Sequence, residues 1–276
     1  MKLETGQVAV VTGAASGLGL ALAQSFAARG LDVVLSDVET GPLADAVATI
    51  EAMGASAIGV PTDVRFAAQV DALAAATLGR FGRVDIVCNN AGVSSLPAPM
   101  WEVEHNDWEW VLSVNLWGVI NGIRAFVPRL VAQNSGHVVN TASMAGISAG
   151  PGLGPYLASK HAVVALSEGL ATELAQAAPN VGVTVVCPGQ VITNIQAAER
   201  NRPAGLAVAE RDLPESEFNA LLQWMASISG KGIPANDAAE IVIRAIEANA
   251  LHVAPNGSSA GVKAWIDRLL VDLADI

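Results

Sequence analysis

The chain has 276 residues, 52% of them hydrophobic and 15% charged, and its 15 Lys and Arg against 26 Asp and Glu leave a formal net charge of −11. Such apolar content excludes a disordered chain, and the acidic balance argues against a nucleic-acid partner, which needs a basic face. The length suits one large α/β domain, and no apolar run is expected to reach the roughly 18 residues that a membrane-spanning helix needs. Met1-Lys2-Leu3-Glu4 is not expected to open a secretion signal, and Cys88 and Cys187 sit inside apolar runs. Reduced, buried thiols in a cytoplasmic protein without a membrane partner are the expectation.

In chain order, the first predicted strand, Gln7–Thr12, runs into glycines at 13, 17 and 19. A helix over Leu18–Arg29 follows and stops at Gly30, where a helix C-terminus wants a residue at positive φ. Strand Leu31–Asp37 leads to helix Pro42–Met53, which Gly54 ends, and then to strand Ser56–Thr62 and helix Ala67–Phe81. Strand Val84–Asn89 is followed by one long helix, Asp107–Gln133. Strand His137–Ser143, helix Tyr156–Ala178 and strand Val181–Cys187 come next, and a last strand lies at Leu251–Ala254. The first six strands lack polar alternation, as in parallel strands covered on both faces. Strand–helix alternation of this kind predicts a single-domain, doubly wound parallel sheet, Rossmann-like, over 1–276. Gln190–Ile233 breaks the rhythm with Pro203, Gly205, Pro214 and Gly230, and reads as a substrate-covering lid insertion. Within it, Pro214–Gly230 carries Phe218, Leu221, Leu222, Trp224 and Met225 at near-helical spacing, either packing on the body or closing over a bulky apolar substrate.

Chemistry enters at the first turn. Gly13-Ala14-Ala15-Ser16-Gly17-Leu18-Gly19 between a strand and a helix permits a tight turn, a close backbone approach to a pyrophosphate, and a helix dipole aimed at it. Asp37, at the end of the second strand, places a carboxylate where it can accept from both adenosine ribose hydroxyls. No Lys or Arg stands at 14, 15, 16, 36 or 38 to receive a 2′-phosphate, so NAD is expected over NADP. Tyr156, the one tyrosine, lies four residues before Lys160 on a predicted helix, so the two share a face. The ammonium is expected to lower the phenol's pKa and make Tyr156 a general acid/base. Ser143 closes the fifth predicted strand, at the edge where such sheets bind ligands, and Asn115 is a polar amide in an apolar helix.

These residues together resemble the short-chain dehydrogenase/reductase family, of the single-domain type, over nearly the whole chain. The likeness rests on Thr12-Gly13-x-x-x-Gly17-x-Gly19, Asn89-Asn90-Ala91-Gly92, Asn115, Ser143, Tyr156-x-x-x-Lys160, and Pro188-Gly189 followed by Thr193. The resemblance implies hydride transfer between NAD and a secondary alcohol or its ketone. Tyr156 would be acid/base, Ser143 would hold the substrate oxygen, Lys160 would bind the nicotinamide ribose, and Asn115 would hold a water in a relay to Lys160. It implies a cofactor surface of Gly13, Ser16, Gly17, Leu18, Gly19, Asp37, Asp63, Val64, Asn90, Ala91, Gly92, Tyr156, Lys160, Pro188, Gly189, Val191 and Thr193. Of these, Asp63 would lie beside the adenine, Asn90 beside the adenosine ribose and Thr193 near the nicotinamide amide. It also implies a homo-oligomer, dimer or tetramer, through the Asn115 and Tyr156 helices. The run from Thr193 to Pro203 is similar to relatives that oxidise benzylic alcohols in lignin-derived aryl ethers, a likeness that does not name a substrate.

Four of the six tryptophans, Trp101, Trp108, Trp110 and Trp117, are expected to pack the Asn115 helix or an oligomer contact. The four histidines have no ligand spacing, so no metal is expected. A non-catalytic dinucleotide sensor or scaffold on the same fold is the alternative, although such a chain would typically lack Tyr156 or Lys160. A sugar-nucleotide epimerase or dehydratase would have another glycine spacing and a longer C-terminal domain.

Overall fold

The computed structural model describes residues 1–209, 214–228, 231–260, 262–263 and 266–267. The C-terminal end of the expected domain and the expected helix end at Gly230 lie outside the described residues. Among them, seven strands form one parallel sheet: β1 (Val8–Thr12), β2 (Asp32–Asp37), β3 (Ala57–Pro61), β4 (Ile86–Asn89), β5 (Gly136–Thr141), β6 (Val181–Val186) and β9 (His252–Val253), in the spatial order β3-β2-β1-β4-β5-β6-β9. The order reverses between β1 and β4, and a doubly wound sheet opens its binding crevice at that point.

The inner strands β1, β2, β4, β5 and β6 are buried on both faces because alternate residues serve two cores. Ala9, Val11, Val33, Leu35, Ile86 and Val139 pack with α1 (Gly17–Ala27) and α8 (Ala235–Glu247). Val8, Val10, Val34, Val87 and Val138 face α3 (Ala67–Phe81), α5 (Gly118–Gln133) and α6 (Gly154–Ala177). Helix α2 (Thr40–Ala52) covers β3 through Leu43 and Ala46.

The structure departs from the sequence pattern in three places. Helix α8 was absent from it, although Ala238, Ala239, Val242, Ile243 and Ile246 make a regular buried stripe against α1. The long helix predicted over Asp107–Gln133 contains α4 (His105–Leu112), a π-helical turn at Ser113–Trp117 and α5. The whole rod, His105–Gln133, has an 18-residue window of mean hydropathy 1.3, so one helix is long and apolar enough to cross a membrane. Gly118, Gly122, Arg124 and Pro128 interrupt it, so no unbroken apolar run fills that length, and half of the window is buried, as in a core helix. Lastly, β5 stops at Thr141, so Ser143 lies beyond the strand and caps a single 3₁₀ turn, Met144–Gly146.

The segment that follows β6 leaves through β7 (Val191–Ile192) and returns through β8 (Ile233–Pro234), which pair with each other in parallel. Between them lie two 3₁₀ segments, Ile195–Asn201 and Ala204–Leu206, and α7 (Glu215–Ile228).

A buried polar chain crosses the layers just beneath the crevice. Asn89 Nδ2 donates to Asn140 Oδ1 at 2.9 Å, Asn140 Nδ2 to Ser167 Oγ at 3.0 Å, and Ser167 Oγ to the Val163 carbonyl at 2.7 Å. Gly122 of α5 makes room for it: a Cβ there would overlap Asn89 Oδ1 and lie 2.7 Å from Asn89 Cγ. Gly122→Ala is therefore expected to cost about 1–3 kcal/mol by overpacking. Urea denaturation should show a lower midpoint at an unchanged slope.

Candidate active site

A cleft of about 460 Å³ opens along the C-terminal ends of β1, β2, β4, β5 and β6. Every residue expected to bind cofactor lines it, as do Ser143, Tyr156 and Lys160; Asn115 lies one layer behind.

The glycine-rich turn forms its floor. Gly13 and Gly17 have φ of +66° and +56°, which favour glycine. A Cβ at Gly13 would stand 2.8 Å from Ala91 Cα, and one at Gly19 would strike the Gly13 carbonyl and the Asn90 amide. Helix α1 begins at Gly17 with no side chain capping it, so the first backbone N–H groups face the cleft. This cradle fits a dinucleotide pyrophosphate: backbone donors, a helix N-terminus, and a turn whose glycines let the backbone line the cleft.

Asn90 staples the floor from the other side. Its Nδ2 donates to the Thr12 carbonyl at 3.0 Å, while Thr12 Oγ1 accepts from the Asn90 and Ala91 N–H groups at 3.0 and 3.1 Å. Asp37 accepts from the Ala15 N–H at 3.0 Å and the Glu39 N–H at 3.1 Å, one on each carboxylate oxygen. Asp63 also lines the cleft, but its carboxylate is held by Arg65 at 2.6 Å. Val64 packs beneath Gly118, where a Cβ would come within 2.7 Å of it.

At the opposite end, Ser143, Tyr156 and Lys160 converge. The Tyr156 phenol faces Ser143, whose Oγ accepts from the Ala145 N–H at 3.1 Å. Lys160, 2% exposed, donates from Nζ to the Thr141 carbonyl at 2.8 Å and lies 5.6 Å from the Tyr156 ring centroid. The expected lowering of the phenol pKa is therefore reversed: burial pushes Tyr156 above its ordinary value, against the lowering effect of the Ser143 hydroxyl. Burial also brings Lys160 down to about 8. Asn115 is fully buried; its amide accepts from the Val93 N–H at 2.8 Å and donates to the Val93 carbonyl at 2.9 Å and Ser159 Oγ at 3.1 Å. Gly92 lies between Asn115 Oδ1 and Lys160 Nζ, each 3.4 Å from where its Cβ would stand.

Of the two readings of 214–230, packing on the body is the one that Leu221 and Trp224 follow. Thr193, Asn194, Ile195, Ala198, Arg200, Asn201 and Pro203 line the cavity, whereas Leu221 and Trp224 of α7 pack on the turn at Gly150 and Gly152. Ala198 packs on Trp110 and Val93, and the Arg202 guanidinium stacks 4.2 Å above the Trp110 ring. Arg202 and Asp107, 6% and 0% exposed, form an ion pair at 2.6 Å, and Glu199 bonds Arg202 at 2.6 Å. Of the four clustered tryptophans, Trp110 is buried and lines the cleft, while Trp101 and Trp117 are exposed. Composition offers no signal for these contacts, because their partners are far apart in the chain.

The family described as short chain dehydrogenase matches residues 7–204. The chain is 40% identical to 1-deoxy-11-beta-hydroxypentalenate dehydrogenase of Streptomyces avermitilis over 77% of its own length and 80% of that protein's. It is 34% identical to the C alpha-dehydrogenase of a Sphingobium species, over 90% of its length and 80% of the relative's. A crystal structure of a short chain dehydrogenase/reductase from Burkholderia phymatum in complex with NAD superposes with a TM-score of 0.85 at 44% identity, covering 92% of this chain and 90% of that one.

Because the chain has a single tyrosine, phenolate absorbance reports Tyr156 alone. In the nucleotide-free protein the phenol is expected to titrate above the ordinary value of about 10. A spectrophotometric midpoint below that value would contradict the burial argument.

Proposed function

The chain belongs to the short-chain dehydrogenase family, and from that premise we propose that it is an NAD-dependent oxidoreductase moving a hydride between a secondary alcohol, or its ketone, and nicotinamide. The observation that carries the reading is the placement of Ser143, Tyr156 and Lys160 at one end of a single cleft whose other end holds the uncapped α1 terminus and Asp37. When bound, NAD supplies the nicotinamide carbon that accepts the hydride.

The protein's own residues do the rest. The Gly13–Gly19 turn and the α1 N-terminus hold the pyrophosphate, and Asp37 retains lone pairs on both oxygens for the ribose hydroxyls. Ser143 donates its hydroxyl to the substrate oxygen, and Tyr156 takes the alcohol proton during oxidation or returns it during reduction. Lys160, near pH 8, can bind ribose and exchange a proton under ordinary conditions. Asn115 acts by position: its amide fixes the Gly92–Val93 backbone against α6 and so sets where Lys160 stands. Val93, Trp110, Val114, Ala198 and Pro203 give the substrate end an apolar wall, which supports a bulky, apolar alcohol.

The NAD complex of the Burkholderia protein supports the choice of cofactor. The two buried, unpaired cysteines support a reducing, cytoplasmic setting. Exposed Trp117 and Leu166, on the π-helical turn and α6, support a homo-oligomer through those helices. The body with its 190–233 insertion is proposed to act as one domain.

Tyr156→Phe keeps the ring and removes the titrating oxygen, so turnover is expected to fall by about 10² or more while NAD binding survives. Steady-state kinetics beside a nucleotide-binding titration checks both halves, and a non-catalytic sensor would show no turnover to lose. A base works deprotonated and an acid protonated, so alcohol oxidation should quicken as pH rises and ketone reduction should slow. NAD should be preferred over NADP at least about tenfold, or about 1.4 kcal/mol. Direct comparison of the two nucleotides decides it.

A further inference from the structure

Three charged side chains meet at the adenosine end of the cleft, and one comes from the other side of the molecule. Asp37 ends β2, Glu39 stands just before α2, and Arg200 arrives from the insertion, 161 positions further on. All three line the same cavity. The backbone that brings Arg200 crosses the glycine turn on its way: a Cβ on Gly17 would lie 3.1 Å from Thr193 Cβ.

The Arg200 guanidinium is already engaged. Nε donates to Glu39 Oε1 at 3.1 Å and Nη2 to Glu39 Oε2 at 2.7 Å, a two-point pair. Nη1 donates to the carbonyls of Asn194 at 3.3 Å and Ala197 at 2.8 Å, and Asn201 adds a bond to Glu39 Oε2 at 3.2 Å. The Arg200 bond holds the Glu39 carboxyl below its usual range. Asp37, by contrast, spends its oxygens on backbone N–H groups. Arg65, the other arginine on the cleft wall, is paired with Asp63 at 2.6 Å.

A 2′-phosphate is the ligand a guanidinium fork recognises best, by the same two-point geometry it uses for a carboxylate. An arginine locked to Glu39 can offer that fork only by breaking the pair, and the incoming dianion would then face the Glu39 charge as well as that of Asp37. The pair is partly exposed, with Arg200 at 37% and Glu39 at 23%, so it is the carboxylate rather than burial that holds the cation. We infer that Glu39 is a second determinant of nucleotide choice, withholding Arg200 from a 2′-phosphate at the adenosine ribose. The inference rests on the reading of Asp37 as the ribose-facing carboxylate, and moves part of the selectivity onto a contact between β2 and the insertion.

The test measures equilibrium binding of NADH and NADPH to the full chain, by fluorescence titration, for the wild type, Glu39→Gln, Glu39→Gln/Arg200→Ala and Asp37→Asn. Glutamine keeps the chain length and the acceptor for Asn201, and asparagine keeps one of the two oxygens that accept from the Ala15 and Glu39 N–H groups. Glu39→Gln should tighten NADPH at least about fivefold and move NADH less than about twofold, with the gain shrinking as salt is raised. Adding Arg200→Ala should abolish the gain. NADPH binding unchanged in Glu39→Gln, or a gain that survives Arg200→Ala, overturns the inference. Asp37→Asn reports on the underlying reading alone. An unchanged NADH-to-NADPH ratio there refutes Asp37 as the ribose carboxylate, whereas a shift at Asp37 with none at Glu39 overturns only the inference. A gain at Glu39 that depends on Arg200, together with a shifted ratio at Asp37, upholds it.

Discussion

Two backbone turns, one after β1 and one after β4, approach so closely that no side chain fits between them, and the cleft is built on that approach. Gly13 must lack a Cβ because Ala91 occupies the space, and Gly19 must lack one because the Gly13 carbonyl and the Asn90 amide do. Thr12 and Asn90 then exchange hydrogen bonds across the gap. This contact brings the α1 N-terminus, which can hold anionic charge, alongside the β4–β5 edge, where Ser143 and Lys160 stand. The sheet order alone would leave the two halves as neighbours; the absent side chains make them one surface.

The insertion is held to that surface by two ion pairs of very different strength. Arg202 and Asp107 are buried, and removing one partner of such a pair typically costs about 3–5 kcal/mol, because the other charge is left without water. Arg200 and Glu39 are partly exposed, and pairs of that kind contribute about 0–1 kcal/mol. The segment is thus pinned beside Trp110, at the substrate end, and lightly held at the adenosine end.

Much of this was legible beforehand, for physical reasons. Parallel strands buried on both faces write unbroken apolar runs, so β1 to β6 stood where the runs stood. The glycine spacing carried the turn, because its close contacts exclude every other residue. What stayed illegible depends on neighbours that the chain brings together only by folding. Glu39 and Arg200 are 161 positions apart, and the absence of basic residues near Asp37 in sequence hid one that arrives from elsewhere. The π-helical turn around Asn115 leaves no compositional mark. The phenol of Tyr156 seemed destined for a lowered pKa because spacing shows that Lys160 shares its face, but not that the ammonium is aimed at the Thr141 carbonyl while burial governs the ring. Helix α8 is a different matter: its apolar stripe was present and legible.

The short ladder between β7 and β8 ties the two ends of the insertion together, Val191 beside Ile233 and Ile192 beside Pro234. A loop whose ends are already joined adds closure entropy only as the logarithm of its length, about 0.6 kcal/mol for each doubling. The ladder therefore carries the insertion as a cassette: its length between the ladder strands can change while β6, α8 and the glycine turn keep their places. Within one scaffold, the reacting end of the cleft and the choice of what it accepts can then diverge independently.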